Sequence, residues 1–287
     1  MRKILLPTDF SQNAWNAISY ALRFFENENC TFYFLHTYTP SFYRLDYMMG
    51  GPEFSAIPDN GVDVSLAGLE KSVAEAKKQF PNKNHKYKTV SAFNTLTDEV
   101  NEFSEKKGID MVVMGTKGAT GAKQLFLGSS TVFVIRKAKV PVLVIPDNHK
   151  FVPIKKILFP NNYFHRYKKE EVQTIIQLAK MYKAEITVLH VKEEEYDLTD
   201  EQLANKSALE KELKNLAFTI KEVKGKLMPE AILEYIAEYK IDLLTMMNHG
   251  HSFFERILIK QNIDQIGFHV KIPFLVVRDT SVPEHSE

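Results

Sequence analysis

Asp110-Met-Val-Val-Met-Gly-Thr-Lys-Gly-Ala-Thr-Gly-Ala-Lys-Gln-Leu-Phe-Leu-Gly-Ser-Ser130 divides into three parts. Met111 to Met114 is a short apolar run, β-branched at its centre, and reads as a strand buried on both faces. Gly115 and Gly118 follow and open a loop in which backbone can come close to a ligand. Gly128, Ser129 and Ser130 then lead into an apolar-periodic segment through Val132, Phe133 and Ile135, a helix start with hydroxyl caps. Strand, glycine loop and helix start together make an anion site, because free N–H groups and the positive end of the helix dipole attract phosphate.

The chain repeats itself around this stretch. Lys3-Ile-Leu-Leu-Pro7 recurs as Lys156-Ile-Leu-Phe-Pro160, and Thr31 to His36 as Glu185 to His190. Asp110-Met-Val-Val-Met recurs as Asp242-Leu-Leu-Thr-Met, and Val140-Pro141-Val-Leu-Val-Ile as Ile272-Pro273-Phe-Leu-Val-Val. The offset is 153 at Lys3 and 132 at Asp110, so the first copy carries 21 extra residues between them. Two domains are expected, 1–147 and 153–280, with a proline-bounded linker from Pro146 to Pro153. The first copy reads as strand 3–7, helix 11–26, strand 30–37, helix 65–80, strand 86–92, helix 95–107, strand 110–114, helix 128–138 and strand 141–145. The second reads as strand 156–160, helix 168–183, strand 185–191, helix 200–216, strand 217–222, helix 228–239, strand 241–246, helix 262–270 and strand 273–277. Alternation at this spacing implies an α/β fold, a parallel sheet with helices on both faces.

Composition excludes several classes. Of 287 residues 25% are charged, with a net charge of +1, which speaks against nucleic-acid and anionic-membrane partners. No apolar run approaches the roughly 20 residues that span a bilayer. A strand begins at once (Lys3 to Leu6), so no signal peptide is visible, and the single cysteine, Cys30, fits a reducing cytoplasm. Cys30 opens an apolar strand and reads as core, with a redox sensor as the other reading.

The spacing Gly115-x2-Gly118-x9-Gly128-Ser129 is neither a Walker A loop nor a G-x-G-x-x-G fingerprint. It resembles the ATP-binding signature of the universal stress protein family, and each copy is similar to one domain of that family. The resemblance implies a tandem protein of two five-stranded parallel sheets in order 3-2-1-4-5, a Rossmann-like arrangement shared with the adenine nucleotide alpha hydrolases. In that order the first and fourth strands part at their carboxyl ends, where ligands of open α/β sheets bind. There Pro7-Thr8-Asp9 and the Met114–Gly118 stretch become neighbours.

For Asp9 two readings stand side by side: a carboxylate for ribose hydroxyls and a helix cap. The resemblance favours the first and places Pro7 and Thr8 on the same edge. It puts Thr37 and Tyr38 where family members read adenine through main-chain groups. It gives Gly115, Lys117, Gly118, Gly128, Ser129 and Ser130 to the phosphates and counts Met114 among the nucleotide-binding residues. Lys117 reads equally as an exposed loop lysine, and Ser129 as a simple cap. ATP brings the expectation of Mg2+ bridging phosphate oxygens. No general base for attack on the γ-phosphate stands out, so ATP binding in stress response or signalling is expected with hydrolysis slow or absent. The other readings are a scaffold of the same fold and an ATP-cleaving enzyme, the latter without an H-I-G-H or S-G-G-x-D-S motif.

In the second copy Met247 replaces the first glycine, Lys260-Gln261 replaces Gly128-Ser129, and Asn161-Asn162 replaces Thr8-Asp9. A Cβ where backbone should meet phosphate is a steric objection, so this copy is not expected to bind ATP. His165, His249, His251 and His269 lack metal-ligand spacing, and His36 and His190 read as structural. Trp15 reads as packing and Glu193 to Glu195 as a solvated loop. The insertion near 39–64, rich in Phe, Tyr and Met, has three readings: a lid on the nucleotide, a cover for a neighbouring subunit, or a segment packed on its own domain. The last strand of each copy is expected at a sheet edge. An intramolecular pseudo-dimer and a homodimer are the associations it suggests.

Overall fold

The computed structural model describes residues 1–38, 61–116, 127–248 and 271–278. The chain divides into two compact units, Met1–Phe151 and Val152–Glu287. In the first, β1 (Arg2–Pro7), α1 (Gln12–Phe24), β2 (Cys30–Tyr38), α2 (Gly61–Gln79), β3 (His85–Phe93), α3 (Leu96–Lys107), β4 (Met111–Gly115), α4 (Ser129–Lys137) and β5 (Val142–Ile145) follow one another. The strands are parallel and lie in the order β3-β2-β1-β4-β5. α1 packs on α2, and α3 on α4. Right-handed crossovers place these two pairs on opposite faces.

This placement explains the strand sequences. β1 lies between β2 and β4 with a helix layer on either side, and Ile4, Leu5 and Leu6 are fully buried. Each such side chain contributes about 1.5–3 kcal/mol by leaving water. β3, at the edge, mixes exposed and half-buried positions. Ser11 caps α1 by accepting the Ala14 N–H at 3.2 Å. Thr95 caps α3, which ends at Gly108 in the left-handed region, φ 62.

The second unit has β6 (Lys156–Pro160), α5 (Lys169–Tyr182), β7 (Glu185–Lys192), α6 (Asp200–Leu213), β8 (Phe218–Lys224), α7 (Met228–Tyr239), β9 (Leu243–Asn248) and β10 (Phe274–Arg278). Its strand order is β8-β7-β6-β9-β10, the same winding. The register repeats too: Ile4 lies opposite Met111, and Ile157 opposite Leu243. One clamp recurs at the strand starts. The Lys3 N–H donates to Asp110 Oδ2 at 2.7 Å, and the Lys156 N–H to Asp242 Oδ2 at 2.9 Å. In return the Asp110 and Asp242 N–H groups donate to the Lys3 and Lys156 carbonyls. The recurring lysine and aspartate of the sequence are therefore ladder ends.

Some elements differ from the sequence reading. α2 begins at Gly61, so residues 61–64 of the insertion are helix; 39–60 and helix 262–270 lie outside the described residues. Trp15, read as packing, is half-buried along a groove between α1 and α2. Glu193 is no solvated bystander: its Oε1 accepts the Met228 N–H at 3.1 Å. This serves the first turn of α7, whose N-cap, Leu227, has no side-chain hydrogen bond. Cys30 is fully buried, and burial, with Glu28 adding to it, pushes its thiol up to about 12.

Candidate functional site

Where β1 and β4 end, two turns face each other. On one side β1 runs into Thr8, whose N–H donates to the Leu35 carbonyl at 2.8 Å and so stays in the sheet. The Phe10 N–H then donates to Thr8 Oγ1 at 3.0 Å, and the Ser11 N–H to Asp9 Oδ1 at 3.0 Å. The N-cap of α1 is Ser11 and not Asp9. Asp9 therefore organises the turn with one oxygen, and its Oδ2 has no protein partner among the described residues. Phe10 is carried into the left-handed region, φ 64.

On the other side, the Gly115 carbonyl accepts from Thr131 Oγ1 at 3.0 Å, and the Gly128 N–H donates to the Thr116 carbonyl at 2.7 Å. Gly128 is the N-cap of α4 and supplies no side-chain hydrogen bond. This corrects the expected hydroxyl cap: Ser129 is already the first helical residue. The first intrahelical bond runs from Val132 to the Gly128 carbonyl, which leaves the N–H groups of Ser129, Ser130 and Thr131 without helical acceptors.

A cavity of about 190 Å³ lies between the two turns. Of the residues expected at the site, Pro7, Thr8, Asp9, Thr37, Met114, Gly115 and Ser130 line it, joined by Ala14, His36, Leu96 and Thr131. Tyr38 is not on its wall; the ring packs toward Phe93 with centroids 6.3 Å apart. Gly128 and Ser129 stand at the helix start beside it. Lys117 and Gly118 lie outside the described residues. Thr131 was legible as the third residue of a helix whose first turn was expected to face phosphate. His36 was readable only as a strand residue, because its role depends on neighbours distant in sequence.

Gly115 has a packing reason of its own. A Cβ there would sit 2.0 Å from Asn13 Oδ1 and 3.1 Å from the Asn13 carbonyl. The close approach this glycine permits is of α1 to the β4 end. His36 Nδ1 lies 3.0 Å from Ser65 Oγ, which lies 2.7 Å from Ser91 Oγ. One imidazole face is covered by Phe10, centroids 4.5 Å apart. Burial lowers the His36 pKa, and the Asp9 carboxylate opposes the shift.

The second unit keeps the turn and loses the acid. Asn161 Oδ1 accepts the Tyr163 N–H at 2.8 Å, and Asn162 Oδ1 the Phe164 N–H at 3.2 Å. Gln202 and Asn205 of α6 then tie the Asn162 and Tyr163 carbonyls down, at 2.9 and 3.0 Å. At the position of Gly115 stands a buried Met247, paired with Val277 as Gly115 is with Ile145. His249, His251 and His269 lie outside the described residues, among which no group of three or more His, Cys, Asp or Glu could hold a metal ion. No helix of the described residues is long and apolar enough to cross a membrane.

The model of the universal stress protein family matches residues 1–146 and again 153–278. Universal stress protein MJ0577 of Methanocaldococcus jannaschii is 28% identical over 163 residues, 50% of this chain and 94% of its own. Universal stress protein MJ0531 of the same organism is 28% identical over 154 residues, 52% and 84% of the two chains. The crystal structure of a universal stress protein from Archaeoglobus fulgidus covers 96% of both chains at a TM-score of 0.69 and 18% identity, a likeness of fold.

Proposed function

The chain belongs to the universal stress protein family, and from that premise we propose that its first unit binds ATP with Mg2+ in the cavity between β1 and β4, and that the bound state serves stress response or signalling. One observation carries the reading. The amides of Ser129, Ser130 and Thr131, without helical acceptors, open beside a cavity whose facing wall presents Asp9 Oδ2, which has no partner among the described residues. Amides at a helix start suit phosphate; a carboxylate suits the paired hydroxyls of a ribose. The volume of about 190 Å³ is below the roughly 300 Å³ at which sites for drug-sized ligands begin. It takes part of a nucleotide, the remainder lying over its mouth. Mg2+ would arrive on the phosphates, keeping several waters, and would neutralise their charge. The reading is of a binder, with hydrolysis slow or absent. A cytoplasmic location goes with it.

The second unit supports a different reading of itself, as an interaction module without nucleotide. Met247 stands where Gly115 stands in the first unit, and Asn162 has replaced Asp9.

Calorimetric titration of the whole chain with MgATP tests both readings. One nucleotide per chain is expected, with affinity lowered at least tenfold by Asp9→Ala and by Ser130→Glu, which sets a like charge beside the phosphates. Absence of heat from the native chain would leave the scaffold as the reading, and two nucleotides per chain would remove the assignment to the first unit. The pseudo-dimer and homodimer rest on the sequence and are open to light scattering.

A further inference from the structure

His36 and His190 occupy the same place at the end of the second strand of their units, yet their free valences differ. His190 is spent on the protein: Nδ1–H donates to the Asn161 carbonyl at 2.8 Å, and Nε2 lies 3.4 Å from the Tyr196 hydroxyl. In His36 only Nδ1 is engaged, with Ser65. Its Nε2 has no protein partner among the described residues, and the ring forms part of the cavity wall beside Asp9.

We propose that His36 is a ligand-contacting residue of the first unit: its Nε2 meets the bound nucleotide, and its protonated form holds a phosphorylated ligand more tightly. This rests on the nucleotide reading above and adds the residue and its regulation. The serine pair behind the ring makes both protonation states acceptable. In neutral His36, Nδ1 accepts from the Ser65 hydroxyl and Nε2–H points outward. In the cation, Nδ1–H donates to Ser65 Oγ, whose hydroxyl turns to Ser91 Oγ, 2.7 Å away. Ser65 is wholly buried, so without this reversal the second proton would leave an N–H unpaired. Among the described residues the charged group whose field reaches the ring is Asp9; α2 contributes Ser65, β3 contributes Ser91, and Phe10 covers one face. A polyanion bound at the start of α4 adds negative charge to that cavity and favours the imidazolium. By linkage, affinity is then greatest below the free-state pKa of His36 and falls as pH rises to the bound-state value.

The test is calorimetry with ATP and with adenosine at pH 5.5 and 8.0, on the native chain and on His36→Gln. The ratio of ATP affinities between the two pH values should be about fivefold larger in the native chain than in the variant, which removes the titration of ATP itself from the comparison. For adenosine, without phosphates, the two chains should give the same ratio. A parallel measurement needs no variant: the His36 ring proton followed by NMR should titrate about one pH unit higher with ATP than without. Equal ATP ratios in the two chains, or a midpoint unmoved by ATP, would overturn the role of His36 while leaving the nucleotide site intact. No binding of either ligand by the native chain would overturn the nucleotide reading itself, and this inference with it.

Discussion

Phe10 stacks on His36, ring centroids 4.5 Å apart and planes 22° from parallel, and the second unit repeats the arrangement in Tyr163 and His190 at 5.0 Å and 32°. Both aromatic residues hold positive φ, 64 and 59, a conformation costing a bulky L-residue roughly 1–2 kcal/mol. In each case the residue two before it takes the strained N–H, Thr8 by its hydroxyl and Asn161 by its amide oxygen. The aromatic lid on the histidine survived the loss of the acid and the glycine, so it belongs to the fold and not to the ligand.

Gly68 makes room for that lid. A Cβ there would lie 2.4 Å from Phe10 Cζ, at the movable end of the side chain. Gly68→Ala is expected to swing the ring off His36 without unfolding α2, since alanine returns about 1 kcal/mol of helix propensity. The melting temperature should stay within a few degrees and the His36 midpoint should move up, because burial is what lowers it. An unchanged NMR midpoint would show that Phe10 does not shield the imidazole.

Gly115 and Asn13 should behave as one unit. Gly115→Ala alone forces 2.0 Å contact with Asn13 Oδ1 and is expected to cost about 1–3 kcal/mol in urea unfolding. Asn13→Ala in the same chain should recover at least half of it, because the clashing amide is gone. Strictly additive losses would mean that the clash is with backbone instead.

Three histidines tie stability to pH. Burial, first among the causes, lowers the pKa of His36, His85 and His190 in the native state. The unfolded chain therefore takes up protons near the ordinary imidazole value while the native chain still excludes them. Stability should be full above that range and decline as pH falls through it toward the native values. Thermal melts from pH 8 to 5 would register this, and His190→Gln should flatten the decline. A native chain equally stable across the range would contradict it.

The Cys30 thiol, fully buried and pushed up to about 12, should resist iodoacetamide at pH 8 in the native chain and react fully in 6 M guanidinium, by far the commoner state of a core cysteine. Stoichiometric labelling before unfolding would restore the redox reading.

Both sheets were legible from the chain because β1, β4, β6 and β9 are covered on two faces. Such strands read as unbroken apolar runs, and their repetition announced the second unit. The cavity was legible as far as fold order brings Pro7–Asp9 and Met114–Gly115 together. The start of α2 was not read, although Asp63 in its first turn is a helix-start signal.

What the sequence determined by itself was the alternation, the duplication, and which copy retained an acid and a bare glycine before its fourth-strand turn. Local periodicity and side-chain volume are written residue by residue. Only the tertiary structure decided that Gly115 is bare because Asn13 leans on it, and that among the described residues His36 keeps a nitrogen open where His190 has none. Each of these is a contact between elements whose separation along the chain says nothing of their distance in space, and burial or a hydrogen bond acts through distance alone.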